Sequence, residues 1–496
     1  MPMASNNGSI KVINDRLCWA PGQMLLRPEA KDGNRWISAL ELCGHAAEPG
    51  ESKGEYQVRH YSRSAYGHAF GPLGLESMLR FCCGLDAELS RTGAGTSIVL
   101  TTPTGDRKSC INAATLLGCY LILVECMAPA DVASALGQKD SEACFACSWS
   151  STSVKEPERV MSVSDCWRGI EAARRHKWIS PVLPQDVHQT DVVCQETVHL
   201  SLTYDVAWLI PGLILVGADP ATTIADPNPA TCGKLTPGAF DHALMEDSMN
   251  RSVSKDSSSI AGSVDTVCKE YREHDVDDPK FGLPSMPSVP STDPKTSEDY
   301  LTVFQGLGIR LVVRANFDNE PGMPTNSYNQ RAFTENGIQH ANIRIQDVQG
   351  GLPEPADVER LLHLCEDLVG NDGKAGETSA VYIHCKGGFG RSVVLAACMA
   401  IDRFDVPGGV VLPWCRIARP GAITTRTQEL FLKSLKGRSD VRRFAKMRIP
   451  GCIDSQPNCG MITKLSKWAQ ALKMRKLAPG VRAEELHVAK EQVHSN

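Results

Sequence analysis

Cys385 and Arg391 stand six positions apart in the segment 381–392, VYIHCKGGFGRS. In a chain with nineteen cysteines one such pair is expected by chance, so the surrounding residues decide what it means. A predicted strand ends at His384, a predicted helix starts near Arg391, and the turn between them contains three glycines. Glycine permits positive φ angles, so successive N–H groups can point inward, and the helix N-terminus adds its positive end. The pattern therefore predicts a cradle for a phosphate dianion.

Cys385 would lie at the centre of this cradle, where a positive field favours the thiolate, the nucleophilic form of a cysteine. We expect in-line attack on the phosphorus of a phosphate ester, with the planar guanidinium of Arg391 gripping two phosphate oxygens. Ser392 could hydrogen-bond the sulfur and help it leave in a second step. No metal or other cofactor is predicted, because the loop amides and Arg391 supply the positive charge. The predicted phosphate-binding residues are Lys386, Gly387, Gly388, Phe389, Gly390 and Arg391. A buried cysteine beside a helix cap is the alternative interpretation.

The leaving oxygen of such an ester needs a proton, which an acid upstream of the loop could supply. Asp347 ends a predicted strand and opens the turn 347–353, and an acid on a mobile loop fits this task. Asp318 and Asp357 are competing candidates. Each of these aspartates could also serve only as a turn or capping residue.

Alternating strands and helices must position these residues, which predicts an α/β fold. In the first part of the chain, a predicted strand at Thr96–Thr102 leads through a polar turn into a buried helix at Cys110–Glu125. The second part repeats the alternation. Its predicted strands are Leu209–Val216, Ile309–Ala315, Ala341–Gln346 and Ala380–Ile383, and its predicted helices are Ala356–Val369 and Ser392–Phe404.

The length of 496 residues predicts two or three domains. We expect an amino-terminal domain over 1–200, a second domain over 201–440 and a basic tail over 441–496. The segment 226–295 is rich in serine and proline and is predicted to be a disordered insertion in the second domain. In the tail, Leu465, Trp468 and Leu472 mark one face of a basic helix that could bind a partner or simply pack on the domain.

Composition excludes several classes of protein. A net charge of −5 argues against a whole-protein nucleic-acid binder. The apolar runs are too short to span a bilayer, and the start of the chain lacks a signal-peptide pattern. The cysteines lie mostly in apolar runs and show no metal-ligand spacing, so we expect buried hydrophobes in a reduced, intracellular protein.

The segment His384–Ser392 resembles the signature loop of the protein-tyrosine and dual-specificity phosphatase superfamily. The stretch 416–423, RIARPGAI, followed by Gln428, resembles one branch of it, the mitotic-exit cell-division-cycle phosphatases that oppose cyclin-dependent kinases. The stretches 70–75, FGPLGL, and 208–212, WLIPG, resemble the amino-terminal domain of that branch and the entry to its catalytic domain. The similarity covers most of 70–435 outside the insertion.

The resemblance implies two tandem phosphatase-like domains, each a central sheet flanked by helices, with a nucleophile only in the second. It supports Asp347 as the acid and implies that Gln428 positions the hydrolytic water. The implied substrates are phosphoproteins modified by cyclin-dependent kinases, with phosphoserine before proline preferred. A cytoplasmic or nuclear location follows, with the spindle or centrosome as candidate sites. Val393 departs from the family, which usually has glycine there.

Three competing functions stay open. A lipid phosphatase of the superfamily would benefit from a second loop lysine, but Phe389 occupies that position. An RNA 5′-triphosphatase would need a strongly basic site, which is not visible. A catalytically weak scaffold that binds phosphoproteins is the third, and a turnover assay separates it from an enzyme.

Overall fold

The computed structural model describes residues 11–23, 34–43, 71–93, 95–145, 161–179, 187–220, 297–321, 323, 326–347, 351–371 and 379–447. The predicted insertion 226–295 and the tail beyond 447, with its predicted helix face, lie outside the described residues. In the described part, no helix combines the length and the hydrophobicity needed to cross a membrane.

The first half of the chain is built on a four-stranded sheet in the order β1-β2-β4-β3, in which only the β1–β2 pair is antiparallel. Its strands are β1 (Lys11–Asn14), β2 (Leu17–Ala20), β3 (Arg35–Ser38) and β4 (Ile98–Thr101). The helices of this half are α1 (Leu75–Arg91), α2 (Arg107–Leu123), α3 (Pro129–Leu136), α4 (Gln138–Ser141), α5 (Val163–Arg175) and α6 (Val187–Tyr204). A short antiparallel pair, β5 (Cys144–Phe145) and β6 (Met161–Ser162), and a 3₁₀ turn at Glu41–Cys43 complete it. Helix α2 is apolar on all sides and is buried almost throughout, as a central helix should be.

The second half contains a five-stranded sheet in the order β10-β9-β11-β8-β7. Its strands are β7 (Val206–Ile210), β8 (Ile214–Ala218), β9 (Ile309–Arg314), β10 (Gln339–Asn342) and β11 (Ala380–Cys385). Its helices are α7 (Ser297–Gly306), α8 (Arg331–Thr334), α9 (Pro355–Asn371), α10 (Arg391–Phe404), α11 (Gly408–Ala418), α12 (Arg426–Ser434) and α13 (Arg438–Ala445). Strand β11 is central and parallel to both β8 and β9. The carboxyl ends of these three strands therefore meet at one edge of the sheet, the usual place for a ligand in an α/β protein.

The predicted α/β class, with sheets flanked by helices, is confirmed. One predicted strand is wrong, because Leu209–Val216 is divided between β7 and β8, which form an antiparallel hairpin. The turn between them contains Gly212 at φ +69, a conformation that glycine adopts at little cost. Strand β10 also begins before the predicted Ala341 and ends at Asn342.

Helix α5 of the first half packs against α11 of the second, so the described residues up to Met447 form one compact unit. A Cβ on Gly169 would lie 3.1 Å from the backbone nitrogen of Trp414, which shows how close the two helices come. The indole of Trp414 donates a hydrogen bond to the Leu209 carbonyl at 2.8 Å. Helix α13 runs across residue 441, the predicted start of the tail, and Arg442 on it pairs with Asp402 at 2.6 Å.

Candidate active site

The loop 386–390 connects β11 to α10 and lies at the carboxyl edge of the second sheet. Helix α10 has Gly390 at its N-cap position and no side-chain cap, so its first N–H groups are left for another acceptor. Gly388 has φ +72, and a Cβ there would meet the backbone carbon of Gly217 at 2.1 Å. The loop can therefore follow this path only with glycine at 388.

Cys385 is the last residue of β11 and is only 3% exposed. Its Sγ lies 3.3 Å from the Oγ of Ser392, in the first turn of α10. Cysteine and serine are thus within hydrogen-bonding distance at the open end of the helix, where a hydroxyl can stabilise a thiolate.

Arg391, the first residue of α10, is 3% exposed and is held by Glu320, which is 7% exposed. Its two terminal nitrogens donate to the two carboxylate oxygens at 2.6 and 2.7 Å, and Nη1 also donates to the Ile345 carbonyl at 2.9 Å. Burial opposes the charge on Arg391, but the hydrogen bond to Glu320 and the negative charges of Cys385, Asp347 and Glu320 outweigh it and raise its pKa. The guanidinium is consequently fixed in one orientation beside the loop.

Asp347 is the acidic candidate that the structure brings to Arg391. Its Oδ2 lies 3.3 Å from Nη2 of Arg391, while its side chain is 59% exposed. Asp318 instead forms ion pairs with Arg314 and Arg344. Asp357 accepts the backbone N–H of Glu354 at 2.8 Å at the start of α9, where burial raises the pKa of its carboxyl to about 6.

Gln428 lies in the first turn of α12 and is buried beside the loop. Its Oε1 accepts the backbone N–H of Thr424 at 3.0 Å, and its Nε2 donates to the Gly351 carbonyl at 3.5 Å. A Cβ on Gly390 would lie 2.9 Å from that Nε2, so the amide group packs directly against the N-cap of α10.

Of the remaining loop residues, Lys386 donates a hydrogen bond from its ammonium group to the Pro321 carbonyl, next to Glu320. Phe389 packs its ring under the guanidinium of Arg419, whose central carbon is 4.2 Å from the ring centroid. Val393, the departure from the family pattern, is fully buried within α10.

Behind the loop lies a buried polar network around His384. Its Nε2 is 2.7 Å from the hydroxyl of Tyr328, which is in turn 2.9 Å from Nε2 of His340. Burial and the charge of Arg314 hold the pKa of His384 well below its ordinary value and lower the pKa of His340 to about 3. Both imidazoles are therefore neutral at physiological pH, which fits a role in holding the loop.

Three residues of the site were not predicted from the sequence: Glu320 holds Arg391, Arg419 contacts the loop, and Tyr328 contacts His384 just before it. Only one signal could have pointed to Glu320: a buried arginine must be paired. That rule names no partner, and Glu320 lies 71 positions before Arg391.

The chain is similar in sequence to several known phosphatases. A family model described as the dual specificity protein phosphatase, N-terminal half, matches residues 57–173. The dual specificity protein phosphatase CDC14AB of Danio rerio is 23% identical over 409 residues, which cover 80% of this chain and 52% of that protein. CDC14B of Mus musculus is 22% identical over 428 residues, which cover 85% of this chain and 64% of that protein. The solved structure of PTPMT1 in complex with PI(5)P matches 28% of this chain and 84% of that chain at 18% identity, with a TM-score of 0.24.

The chain spans about half the length of the curated relatives it matches. The matches to these relatives cover both halves of the chain, which fits two tandem domains. The resemblance to the cell-division-cycle branch, predicted from the stretch 416–423 and the two-domain order, is confirmed: the chain is similar, along most of its length, to the CDC14 dual-specificity phosphatases.

Proposed function

We propose that this chain is a dual-specificity protein phosphatase that works through a phosphocysteine intermediate. One observation carries the proposal: a cysteine thiol and a rigidly held arginine lie at the uncapped N-terminus of α10. Such a site supplies a nucleophile, a bidentate phosphate ligand and a row of N–H donors within one short loop.

In the first step, the thiolate of Cys385 attacks phosphorus and the S–P bond forms as the P–O bond to the leaving group breaks. Asp347 gives its proton to the leaving oxygen. The loop N–H groups and Arg391 stabilise the charge on the equatorial oxygens. The exposure of Asp347 and its 3.3 Å contact with Arg391 support this assignment, because an acid there lies beside the phosphate and reaches solvent.

In the second step, water attacks phosphorus, the S–P bond breaks and inorganic phosphate leaves. The Asp347 carboxylate takes the proton from the water, and the hydroxyl of Ser392 stabilises the departing thiolate. The amide of Gln428 positions the water, a role supported by its packing against Gly390.

The substrate class is inferred from the resemblance of the stretch 416–423 to the cell-division-cycle phosphatases. We infer phosphoserine and phosphothreonine before proline, together with phosphotyrosine, on proteins phosphorylated by cyclin-dependent kinases. The amino-terminal half, with Thr101 at the end of β4, would serve a non-catalytic role. Action at the spindle or centrosome belongs to the same inference.

Phosphate release by the purified full chain, in EDTA, tests the proposal. Phosphoserine-proline, phosphothreonine-proline and phosphotyrosine peptides are compared, with Cys385→Ser as the control. Release that favours phosphoserine-proline and disappears in the variant is expected. Release from phosphotyrosine alone would contradict the inferred specificity, and tight binding without release would show a phosphoprotein-binding scaffold.

The assignment of the acid has its own test. Asp347→Ala should slow esters with poor leaving groups, such as alkyl phosphates, by about 10²-fold, but activated aryl phosphates much less, because only the former need protonation. Rates for both substrates give the ratio, and Asp318→Ala is the matched control. Equal losses on both substrates would remove Asp347 from the role.

A further inference from the structure

Arg419, just beyond the end of α11, is a buried arginine on the outer side of the phosphate loop and is 2% exposed. Its Nε donates to the Gly388 carbonyl at 3.3 Å, and its Nη2 donates to the Gly387 carbonyl at 3.4 Å. The same Nη2 donates to Asp205 at 2.8 Å, and the guanidinium stacks on the ring of Phe389. One side chain thus contacts three successive residues of the loop.

A fourth contact completes the set. The backbone N–H of Ile423 donates to the Phe389 carbonyl at 2.8 Å. Ile423 has φ +61, a left-handed conformation that is strained for a β-branched residue. Arg416 holds this turn in place by donating to the Ala422 and Ile423 carbonyls at 3.1 and 3.0 Å. Strain is therefore maintained at the residue whose N–H reaches the loop.

These contacts determine where the N–H groups of the loop point. A trans peptide is planar, and its C=O and the following N–H point in opposite directions. When the carbonyls of Gly387, Gly388 and Phe389 turn outward to Arg419 and Ile423, the N–H groups of Gly388, Phe389 and Gly390 turn inward. Those are the donors that a phosphate at Cys385 would need.

Asp205, the residue directly before β7, holds Arg419 in place, and the two residues are called the clamp below. It is buried, and burial raises the pKa of its carboxyl while the charge of Arg419 opposes that rise. The Asp205 carbonyl also accepts the N–H of Ala218 at 3.2 Å, next to the glycine on which Gly388 packs. The aspartate thereby connects Arg419 to the strand beneath the loop.

We propose that Arg419, held by Asp205, is a positioning residue that aims the loop N–H groups at the phosphate without touching it. The proposal rests on the proposed function for its catalytic consequence, but not for its effect on anion binding. Lysine cannot replace Arg419, because one ammonium lacks the planar fork and the stacking face.

The test uses the full chain and tungstate, a phosphate-like oxyanion, as the probe. Arg419→Gln should weaken tungstate binding by about 10²-fold and lower kcat on an aryl phosphate by a similar factor, with little change in KM. Arg419→Lys should remain impaired, and added methylguanidinium should partly restore tungstate binding to Arg419→Ala.

Arg438→Gln is the matched control. Arg438 also donates through Nε and Nη2 to two carbonyls, those of Asp402 and Arg403 at 2.6 and 2.9 Å, but near the other end of α10, about 18 Å from its first residue. It should lower stability without altering the affinity for tungstate. Equal tungstate affinities in Arg419→Gln and Arg438→Gln would overturn the proposal.

Two further outcomes are decisive. If Arg419→Gln does not fold, Asp205→Asn takes its place: weaker tungstate binding supports the clamp, and unchanged binding overturns it. A wild-type chain that binds tungstate but releases no phosphate from any substrate would refute the proposed function alone, and the tungstate affinities of Arg419→Gln and Arg438→Gln would then still decide the positioning role.

Discussion

Among the described residues, two strand–turn–helix units have turns of the same length, but only the second unit has the residues of a reactive site. In the first half, β4 ends at Thr101 and α2 begins at Arg107; in the second, β11 ends at Cys385 and α10 begins at Arg391. Five residues lie between strand and helix in each case, so Thr101 corresponds to Cys385 and Arg107 to Arg391.

The differences lie in three local features. Thr101 donates its hydroxyl to the Ala20 carbonyl, so the strand ends in a structural hydrogen bond. Asp106 caps α2 by accepting the N–H and the hydroxyl of Ser109, so a carboxylate already occupies the place of an anion. Arg107 is exposed, whereas Arg391 is buried and held by Glu320. The second unit thus differs from an ordinary α/β turn in three respects: its helix is uncapped, its arginine is held by a carboxylate, and its strand ends in a thiol.

The largest expected effect comes from giving the second unit the cap of the first. Gly390→Asp should lower turnover by about 10³-fold relative to Gly390→Ala. Its carboxylate would accept hydrogen bonds from the N–H groups that otherwise bind the phosphate. Gly390→Ala is the steric control, since any Cβ there approaches Gln428 and Thr424 at 2.9 Å. Rates and tungstate affinities are measured for both variants. Equal losses would show that space, and not the cap, distinguishes the two units.

Releasing Arg391 should have the next largest effect. Glu320→Gln leaves a buried guanidinium without its carboxylate, which should cost about 3 kcal/mol of unfolding free energy and lower kcat/KM by roughly 10–100-fold. Asp402→Asn, which weakens the half-exposed pair with Arg442, should cost less than about 1 kcal/mol. Urea unfolding with and without tungstate measures both variants. Tungstate should restore part of the lost unfolding free energy only in Glu320→Gln. An equal gain in the two variants would contradict the claim that Glu320 holds Arg391 for anion binding.

The two units should also differ in their response to acid, because Leu100 precedes Thr101 whereas His384 precedes Cys385. The folded-state pKa of His340, the outer member of that network, is about 3, while the unfolded chain takes up the proton near about 6.5. The free energy of unfolding is therefore unaffected by His340 above pH 6.5. It falls as the pH drops from 6.5 toward 3, and the loss due to His340 is roughly 2 kcal/mol at pH 5.

Urea unfolding at pH 8, 6 and 5 measures this dependence. His340→Gln should make it shallower but not flat, since glutamine does not titrate whereas His384 still resists protonation in the folded chain. An unchanged slope in the variant would assign the acid sensitivity to other groups.

The smallest expected effect is none. Thr101→Cys, placed in the Cys385→Ser background, should restore no phosphate release, because Asp106 still caps α2. A colorimetric phosphate assay is sufficient, with the Cys385→Ser chain as the baseline. Release above that baseline would mean that the first unit lacks only its thiol.

The sequence was most informative where the chemistry is local. The cysteine, the glycines and the arginine lie within seven positions, and strand–loop–helix geometry follows from their order. Glu320 was missed because its link to Arg391 exists only in space. The β7–β8 hairpin was missed because the apolar run continues across Pro211 and Gly212, so hydrophobicity masked the turn. In the sequence, Arg419 is visible only as part of a family-like stretch, because its contacts with the loop carbonyls join residues more than thirty positions apart.

The contact between Gly217 and Gly388 limits which sequences this site can accept. A side chain at 388 would meet backbone atoms of Gly217 and Ala218, and no substitution elsewhere can remove a backbone. Gly217 is equally restricted, since its Cβ would meet the Asp205 carbonyl at 2.8 Å. Gly387 differs, because the nearest atom to its Cβ would be a ring carbon of Phe389 at 3.7 Å. A library randomised at all three codons and selected for phosphate release should therefore return glycine alone at 217 and 388, but alanine as well at 387.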